Sequence, residues 1–324
     1  MKKSQNKLLI AVLTLGAVLG GCDSLIFDDY EDCPQGVYVK FFSMTPCETD
    51  STFLGNVSSL TLFAFDENEK LVSSVTENNV VLTSDYEILV PVSNGVYSFI
   101  AWTGIDDNFT VGTFTEGVTT KHDVMLSLKS ANNIAANLSA TRVWYGESLA
   151  VFLPDPILNG SVFKHTSINL KELTNRLKIV VEFDPSVEHV VPKDLSVSVS
   201  SANGVVHING TMPQNSPVLA YAPLQTVYTD NSVSWDFSLL DLVTGYKNHL
   251  EIVYSELGQK IFDGDLIASI LLNTVGEGIN LACENDFTVK FVLKDYCAEC
   301  EKNFICVIYV NDWIVHNYRI ELGR

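Results

Sequence analysis

After residue 36 the hydrophobic and polar positions alternate with a period of two in short runs. In the run VSSLTLFAF, Leu60 and Leu62 face one way and Phe63 the other. An acidic turn (DEN) follows, and the alternation resumes at Leu71. Before residue 155 no window sustains the 3.6-residue period of a helix. Alternation interrupted by turns predicts strands joined by hairpins.

Two later runs contain an Asn-Gly pair, which suits the positive φ angles of a tight hairpin. They are YEILVPVSNGVYSFIAW, turning at Asn94-Gly95, and DLSVSVSSANGVVHING, turning at Asn203-Gly204. We therefore predict a hairpin at each pair. Residues 263–273 (DGDLIASILLN) are the exception to the strand pattern, and they favour a short helix.

A polar stretch with proline and glycine, LPDPILNGSVFKH, separates two sets of runs. The alternation restarts after it at Leu177, Ile179 and Val181. About 300 residues exceed what one compact core usually serves. We predict an all-β protein of two tandem antiparallel β-sandwich domains, residues 36–157 and residues 158–324.

The first 21 residues read as a targeting signal, with three lysines followed by an apolar run too short to span a bilayer. They end in Leu-Gly-Gly-Cys, which resembles the bacterial lipobox. Cleavage is then expected between Gly21 and Cys22, with the Cys22 thiol accepting a diacylglyceryl group. Residues 22–35 form an acidic, lipidated tether. The alternative is a plain signal peptide with an incidental cysteine.

The whole chain carries a formal net charge of −19, and none of its acidic residues lies in the signal. Such acidity argues against a nucleic-acid partner and against binding anionic lipid through a basic patch. Nothing after the signal is long and apolar enough to cross a membrane. We expect a body held at the outer membrane by its lipid and exposed at the cell surface.

Six cysteines follow Cys22, an even number that favours disulfides in an exported protein. Local pairing is the simplest expectation, with the first two joined to each other and the last four joined among themselves. Free thiols are one alternative. A zinc site built on the CAEC motif is another, and a redox pair lacks its usual βαβ context. The six are Cys33, Cys47, Cys283, Cys297, Cys300 and Cys306.

No arrangement of residues indicates catalysis. The six histidines are scattered, and there is neither a G-x-S-x-G elbow nor a P-loop. Carboxylates in GIDDN and FDENEK read as solvated turns, because a calcium loop needs more oxygen ligands. A glycosidase pair leaves no sequence signature, since its separation is spatial. We expect no enzyme, no cofactor, no metal site and no small-molecule substrate.

Three stretches carry a resemblance to a known family: CDSLIFDDYEDCPQGVYVKFF, SLTLFAFDENEKLV and LKELTNRLKIVVEF. Together they resemble the Bacteroidales-type fimbrial (minor fimbrium) anchoring-subunit lipoproteins. The resemblance implies two transthyretin-like β-sandwich domains, outer-membrane attachment through Cys22, and a place at the base of a fimbrium, with a stalk subunit as partner.

In the stalk subunits of such fimbriae, the resemblance implies, a protease removes an N-terminal strand, often after arginine. The groove left open is filled by a strand of the next subunit. This chain has no arginine before Arg142, and cleavage after its first strand would sever the body from its lipid. Both features suit a terminal subunit that keeps its own first strand.

The C-terminal sequence FICVIYVNDWIVHNYRIELGR predicts a hairpin that turns at Asn311-Asp312. Its second strand either closes the protein's own sandwich or lies against a neighbouring subunit. We expect its alternate residues from position 314 to share one side of the strand. The candidate partner strand comprises Trp313, Ile314, Val315, His316, Tyr318, Ile320 and Leu322.

A second class of protein fits the same features. A surface glycan-binding or adhesin lipoprotein of β-sandwich type shares the lipobox and the strands. It would display exposed aromatic side chains to sugars. The candidates for such a platform are Trp102, Trp144, Trp235 and Trp313.

Overall fold

Residues 33–187, 191–255, 258–271, 280–295 and 303–321 are described by the computed structural model, and they form strands joined by turns. The prediction of an all-β protein is confirmed. In this part of the chain no helix is long and apolar enough to cross a membrane.

The strands before residue 155 are β1 Gly36–Phe42, β2 Gly55–Phe65, β3 Leu71–Leu82, β4 Glu87–Pro91, β5 Gly95–Thr103, β6 Phe109–Val111, β7 Val124–Leu128, β8 Ser130–Ala131, β9 Ile134–Ala135, β10 Trp144–Glu147 and β11 Val151–Leu153. Helix α1 spans Pro156–Asn159. The strands after it are β12 Phe163–Asn169, β13 Lys171–Glu172, β14 Thr174–Phe183, β15 Leu195–Ser201, β16 Val205–His207, β17 Leu219–Tyr221, β18 Gln225–Tyr228, β19 Ser232–Leu240, β20 His249–Tyr254, β21 Gln259–Asp265, β22 Asp286–Asp295, β23 Asn303–Val310 and β24 Trp313–Glu321.

The strands of the described residues assemble into five sheets. Sheet 1 has the order β12-β1-β4, and sheet 2 has the order β13-β10-β5-β2-β3 with β11 also paired to β5. Sheet 3 runs β18-β19-β14-β22-β23-β24, sheet 4 runs β21-β20-β15-β17-β9-β8, and sheet 5 runs β16-β7-β6. Most neighbours are antiparallel, but β1 with β12, β14 with β22 and β9 with β17 are parallel. The transthyretin-like detail stays a prediction.

Sheets 1 and 2 enclose a first hydrophobic core. Val37 and Val39 of β1 face Leu60 and Leu62 of β2, and all four are fully buried. Phe99 of β5 completes the layer. The alternation read from the sequence therefore identifies the inward face of β2 correctly, because successive side chains of a strand point to opposite faces.

Sheet 2 is also buried on its opposite face, which the sequence pattern does not reveal. Phe63 is fully buried in a second core shared with sheets 3, 4 and 5, and its ring lies 4.9 Å from that of Phe114 in an edge-on contact. The Trp102 indole N–H donates a 2.8 Å hydrogen bond to the Ile208 carbonyl. Side chains far along the chain thus cover the face that carries Phe63.

Hydrogen bonding crosses residue 157, the predicted boundary between domains, in both directions. Strand β7 from the first half pairs with β16 from the second. Strand β12, which follows residue 157, pairs along its whole length with β1. The division into two domains at residue 157 stays a prediction. Strands from the two sides of this position pair with each other.

The two hairpins predicted at Asn-Gly pairs are wrong. Strands β4 and β5, on either side of Asn94, lie in sheets 1 and 2, and strands β15 and β16 lie in sheets 4 and 5. Asn203 is buried and its side-chain amide donates to the carbonyls of Leu240 and Asp241. These pairs are corners at which the chain changes sheet, because a turn signal specifies a reversal but no partner strand.

The helix predicted within residues 263–273 is present as a single π-helical turn, Ile267–Leu271. The Asp265 carboxylate accepts hydrogen bonds from the backbone N–H groups of Ile267 and Ala268, at 2.9 and 2.6 Å. The aspartate thus satisfies two donors that a helix start leaves open.

The disulfide found in the described residues joins Cys47 to Cys283, with a Cα–Cα distance of 5.8 Å. The expectation of local pairing is therefore wrong, since this bond links the two groups of cysteines. Because its sulfur is bonded to that of Cys47, Cys283 has no thiolate to offer to the alternative zinc site. The half-buried Cys33 and the buried Cys306 lie in the described part, whereas residues 297 and 300, both cysteines, lie outside it.

We predict that the double substitution Cys47→Ala with Cys283→Ala lowers the free energy of unfolding by roughly 2–4 kcal/mol. The bond closes a loop of 236 positions, so its loss returns much conformational freedom to the unfolded chain. Denaturant unfolding of the variant and the parent, both without reductant, measures the difference. Coincident midpoints and slopes would show that the bond adds no stability.

Candidate functional site

The predicted lipidation site lies outside the described residues. This applies to Gly21 and Cys22, to the signal of residues 1–21, and to the tether as far as residue 32. The structure first describes the chain at Cys33, three residues before β1 begins at Gly36. The part of the tether that enters the fold is therefore visible, and the lipid attachment stays a prediction.

Strand β1 is the central strand of sheet 1. It pairs with β4 on one side from Gly36 to Lys40, and with β12 on the other from Gly36 to Phe42. Its alternate residues Val37, Val39 and Phe41 are buried. Removing β1 would break two ladders and open the first core, so the first strand is a built-in part of this fold.

The predicted C-terminal hairpin is confirmed. Strands β23 and β24 pair antiparallel across a two-residue turn, with Val310 opposite Trp313. Asn311 and Asp312 have φ angles of 44° and 70°, which is the left-handed conformation that such a turn requires. The turn is fastened to β22, because Thr288 N–H donates to the Asn311 side-chain oxygen at 2.8 Å.

Strand β24 is the outermost strand of sheet 3, and within the described residues no strand pairs with its outer side. Trp313 is 71 % exposed and Ile314 is 57 % exposed. An edge strand presents unpaired N–H and C=O groups that can pair with another chain. Here those groups lie beside two large apolar side chains, the combination that strand addition uses.

That alternate residues of the second strand share one side stays a prediction, because most of those side chains lie outside the described part of the chain. A register shift places Ile314 opposite Tyr309 and residue 316 opposite Ile308, so one residue of β24 is extra. A bulge of this kind increases the local twist of its strand. The side chains of Val315, His316, Tyr318 and Ile320, and all of Leu322, lie outside the described part of the chain.

The four tryptophans do not form the aromatic platform of the glycan-binding alternative. Trp102 and Trp235 are buried in the second core, and Trp144 packs against the first. Only Trp313, among these four, is exposed to solvent. A sugar-stacking surface needs open aromatic faces, so three of the four candidates serve packing instead.

The described residues contain no group of three or more metal-ligating side chains that could hold an ion. A surface cavity of about 340 Å³ is lined by Ser200, Val218, Lys247, Asn248, His249 and Asp265. Its buried Asn248 side chain is already satisfied, accepting from Ser201 and donating to the carbonyls of Val243 and Tyr246. The cavity therefore offers no open buried group to a ligand.

A charged cluster joins sheet 2 to sheet 3. Glu172 of β13 is buried and accepts a 2.6 Å hydrogen bond from Arg176 of β14. The same guanidinium donates two bonds to Asp286 of β22, at 2.5 and 2.9 Å. The bond from Arg176 lowers the pKa of the Asp286 carboxyl, and the two carboxylates raise that of Arg176. Sequence reasoning missed this cluster, because 110 positions separate Arg176 from Asp286.

The fold is that of an all-β protein of several sheets whose first strand is paired on both sides and whose last described strand is an edge that begins with two exposed apolar residues. Residues 30–318 match the family described as Fimbrillin-A associated anchor proteins Mfa1 and Mfa2. The chain therefore belongs to this family.

Similarity in sequence and in structure to one family member places the chain more closely. It is 34 % identical over 317 residues to the minor fimbrium anchoring subunit Mfa2 of Porphyromonas gingivalis, covering 97 % of this chain and 95 % of the relative. The solved structure of the fimbrial anchor protein Mfa2 from Porphyromonas gingivalis superposes with a TM-score of 0.78 at 32 % identity, covering 88 % of this chain and all of that one. The resemblance inferred from the sequence is thereby confirmed.

We predict that Asp286→Asn flattens the dependence of stability on acid pH. Because its folded-state pKa is depressed, the Asp286 carboxylate stabilises the fold above its unfolded pKa of about 3.9, and this contribution is lost as the pH falls through the folded value. The side chain is largely exposed, so the loss near neutral pH is roughly 0.5–1 kcal/mol.

Denaturant midpoints of the parent and the variant between about pH 2 and 7 measure this effect. Asp85→Asn is the matched control, since Asp85 is an exposed carboxyl hydrogen-bonded only weakly, at 3.4 Å, to Ser84. Equal pH profiles for the parent and Asp286→Asn would contradict the role given to the Arg176 pair.

Proposed function

We propose that this protein is the basal anchoring subunit of a fimbrium, attached to the outer membrane through lipid on Cys22 and exposed at the cell surface. Its partner is the adjoining fimbrial stalk subunit. Membership of the anchor family supports the role. The observation that carries the mode of attachment is the open apolar edge of β24.

The N-terminal side of the fold is committed to the membrane. Strand β1 is paired on both sides and lies within the first core, so no groove is open at this strand for a strand from another subunit. A protein built in this way can end a fibre, because it offers no acceptor groove at its lipid-bearing side. This agrees with the absence of arginine before Arg142.

The fibre docks on the outer side of β24. A strand of the stalk subunit pairs with its free backbone groups, which supply affinity, while Trp313 and Ile314 contact apolar side chains of the partner. The hairpin can close the protein's own sheet and still bind the fibre, since β24 pairs with β23 on one side and is open on the other.

We predict that Cys22→Ala abolishes lipid labelling, because this thiol is the acyl acceptor at the lipobox. The variant should be released or remain as uncleaved precursor. Metabolic labelling with a palmitate analogue and membrane fractionation measure both effects. Cys33→Ala is the matched control and should stay labelled, and wild-type labelling of Cys22→Ala would refute the lipid anchor.

We predict that Trp313→Ser with Ile314→Lys reduces fimbriae retained on cells by at least about tenfold, because the double change removes apolar contact and adds a charge to the docking edge. Both side chains are exposed, so the fold should tolerate the change. Quantification of shed against cell-bound fimbriae, with the anchor confirmed by immunoblot, gives the result.

Val227→Lys is the control for this experiment. Val227 is 40 % exposed on β18, the opposite edge strand of the same sheet. Release of fimbriae by Val227→Lys but not by the β24 variant would place docking at the other edge and contradict the proposal.

A further inference from the structure

The loop of residues 154–162, called the tether-side loop from here, is fastened to the point where the tether joins the fold. The Gln35 side-chain amide donates a 2.9 Å hydrogen bond to the Pro154 carbonyl at the start of the loop. The backbone N–H of Gly36 points to the carbonyl of Val162 at the end of the loop, at 3.4 Å. The loop therefore brackets the residues that follow the tether.

The tether-side loop exposes large apolar side chains. Ile157 and Leu158 are 84 % and 81 % exposed, and α1, which carries them, has no buried residue. Phe152 just before the loop and Phe163 just after it are also exposed. Single exposed apolar residues are ordinary, but several within twelve positions form a patch that indicates a contact surface.

This patch carries little charge of its own. Asp155 is the only charged residue between positions 149 and 163, and its carboxylate is occupied in accepting the Ile157 N–H at 2.9 Å. The acidic turn after β2 lies at the same end of sheet 2, because Phe65 pairs with Ser98 near the start of β5. The surface is thus apolar, with acids and one exposed lysine, Lys164, beside it, and the loop itself holds no basic residue that could drive contact with anionic lipid.

We propose that the tether-side loop, with Phe152 and Phe163, inserts its apolar side chains into the lipid bilayer beside the anchor. This inference rests on the proposed lipidation of Cys22. Leucine, isoleucine and phenylalanine are the residues with which proteins enter the apolar boundary of a membrane. The acids nearby remain in water, and the apolar contact needs no attraction to anionic lipid.

The length of the tether favours lipid over other occupants. Residues 22–32 span about 40 Å at most when fully extended. The loop is bonded to the residues immediately after that segment, so the lipid holds it within this distance of the bilayer. Confinement raises the local concentration of lipid around the loop, and a weak apolar contact is then sufficient.

The test uses Leu158→Trp in the full lipidated protein, reconstituted in phosphatidylcholine vesicles with brominated acyl chains. Bromine quenches tryptophan that reaches the acyl region. The fluorescence of each variant minus that of the parent gives the emission of the introduced tryptophan. For Leu158→Trp this emission should be quenched at least about twofold more than for Val227→Trp, since Val227 lies on the exposed strand β18. Added salt should not reduce the quenching, since the contact is apolar.

Flotation of the same vesicles separates the two proposals. If the protein floats with lipid and the added Leu158→Trp emission is no more quenched than the control, the loop contact is refuted while the anchor stands. Failure to float refutes the lipid attachment, and with it the inference that depends on it.

Two other partners for the patch, a second copy of this chain and a fimbrial subunit, would give different experimental results. The triple variant Phe152→Ser, Ile157→Ser and Leu158→Ser should leave both the oligomeric state in detergent and the retention of fimbriae unchanged. A change in mass by ultracentrifugation would assign the patch to a second copy of this chain. Loss of fimbriae would assign it to a fimbrial subunit, and either result overturns the lipid contact.

Discussion

The pairing of β1 with β12 is the interaction on which the rest of the structure depends. It joins Gly36–Phe42 to Phe163–Asn169 in a parallel ladder, so that the strand nearest the tether is held by a strand from the middle of the chain. Parallel strands need a long crossover between them. Everything from β2 to β11 lies within that crossover, and the first core closes only when β12 has returned to β1.

The same pairing gives a short covalent route from sheet 1 to sheet 3, which carries the proposed docking strand β24. From β12 the chain passes through β13 directly into β14, a strand of sheet 3. In that sheet β14 pairs with β22, and β23 and β24 follow β22 toward the edge. Arg176 reinforces this route, because it links Glu172 of β13 to Asp286 of β22 at the start of sheet 3. Between the first strand and the proposed docking strand, a pull would therefore pass along strands that are hydrogen-bonded side by side.

The sequence predicted what local order determines and missed what depends on partners. The alternation around Leu60 and Leu62 identified β2, and Asn311 with its neighbour identified the last hairpin. Phe63 read as an outward position because nothing nearby in the sequence shows that Phe114 covers it. The predictions of hairpins at the Asn-Gly pairs and of local disulfides failed for the same reason, since the partner strands and the partner of Cys47 lie far away in the sequence. Of the candidate site, the local lipobox motif was readable, whereas the open edge of β24 required the sheet order.

The edge strands β3 and β24 differ in a way that favours β24 as the proposed docking strand. Strand β3, at the edge of sheet 2, exposes Thr76, Glu77 and Asn78, and polar or charged side chains discourage pairing with other chains. Strand β24 instead exposes Trp313 and Ile314 at its start. The bulge that follows them twists the strand, which restricts the partners whose register can match it. An edge that begins with apolar side chains but is irregular favours a partner strand of matching shape and is poorly suited to indiscriminate aggregation.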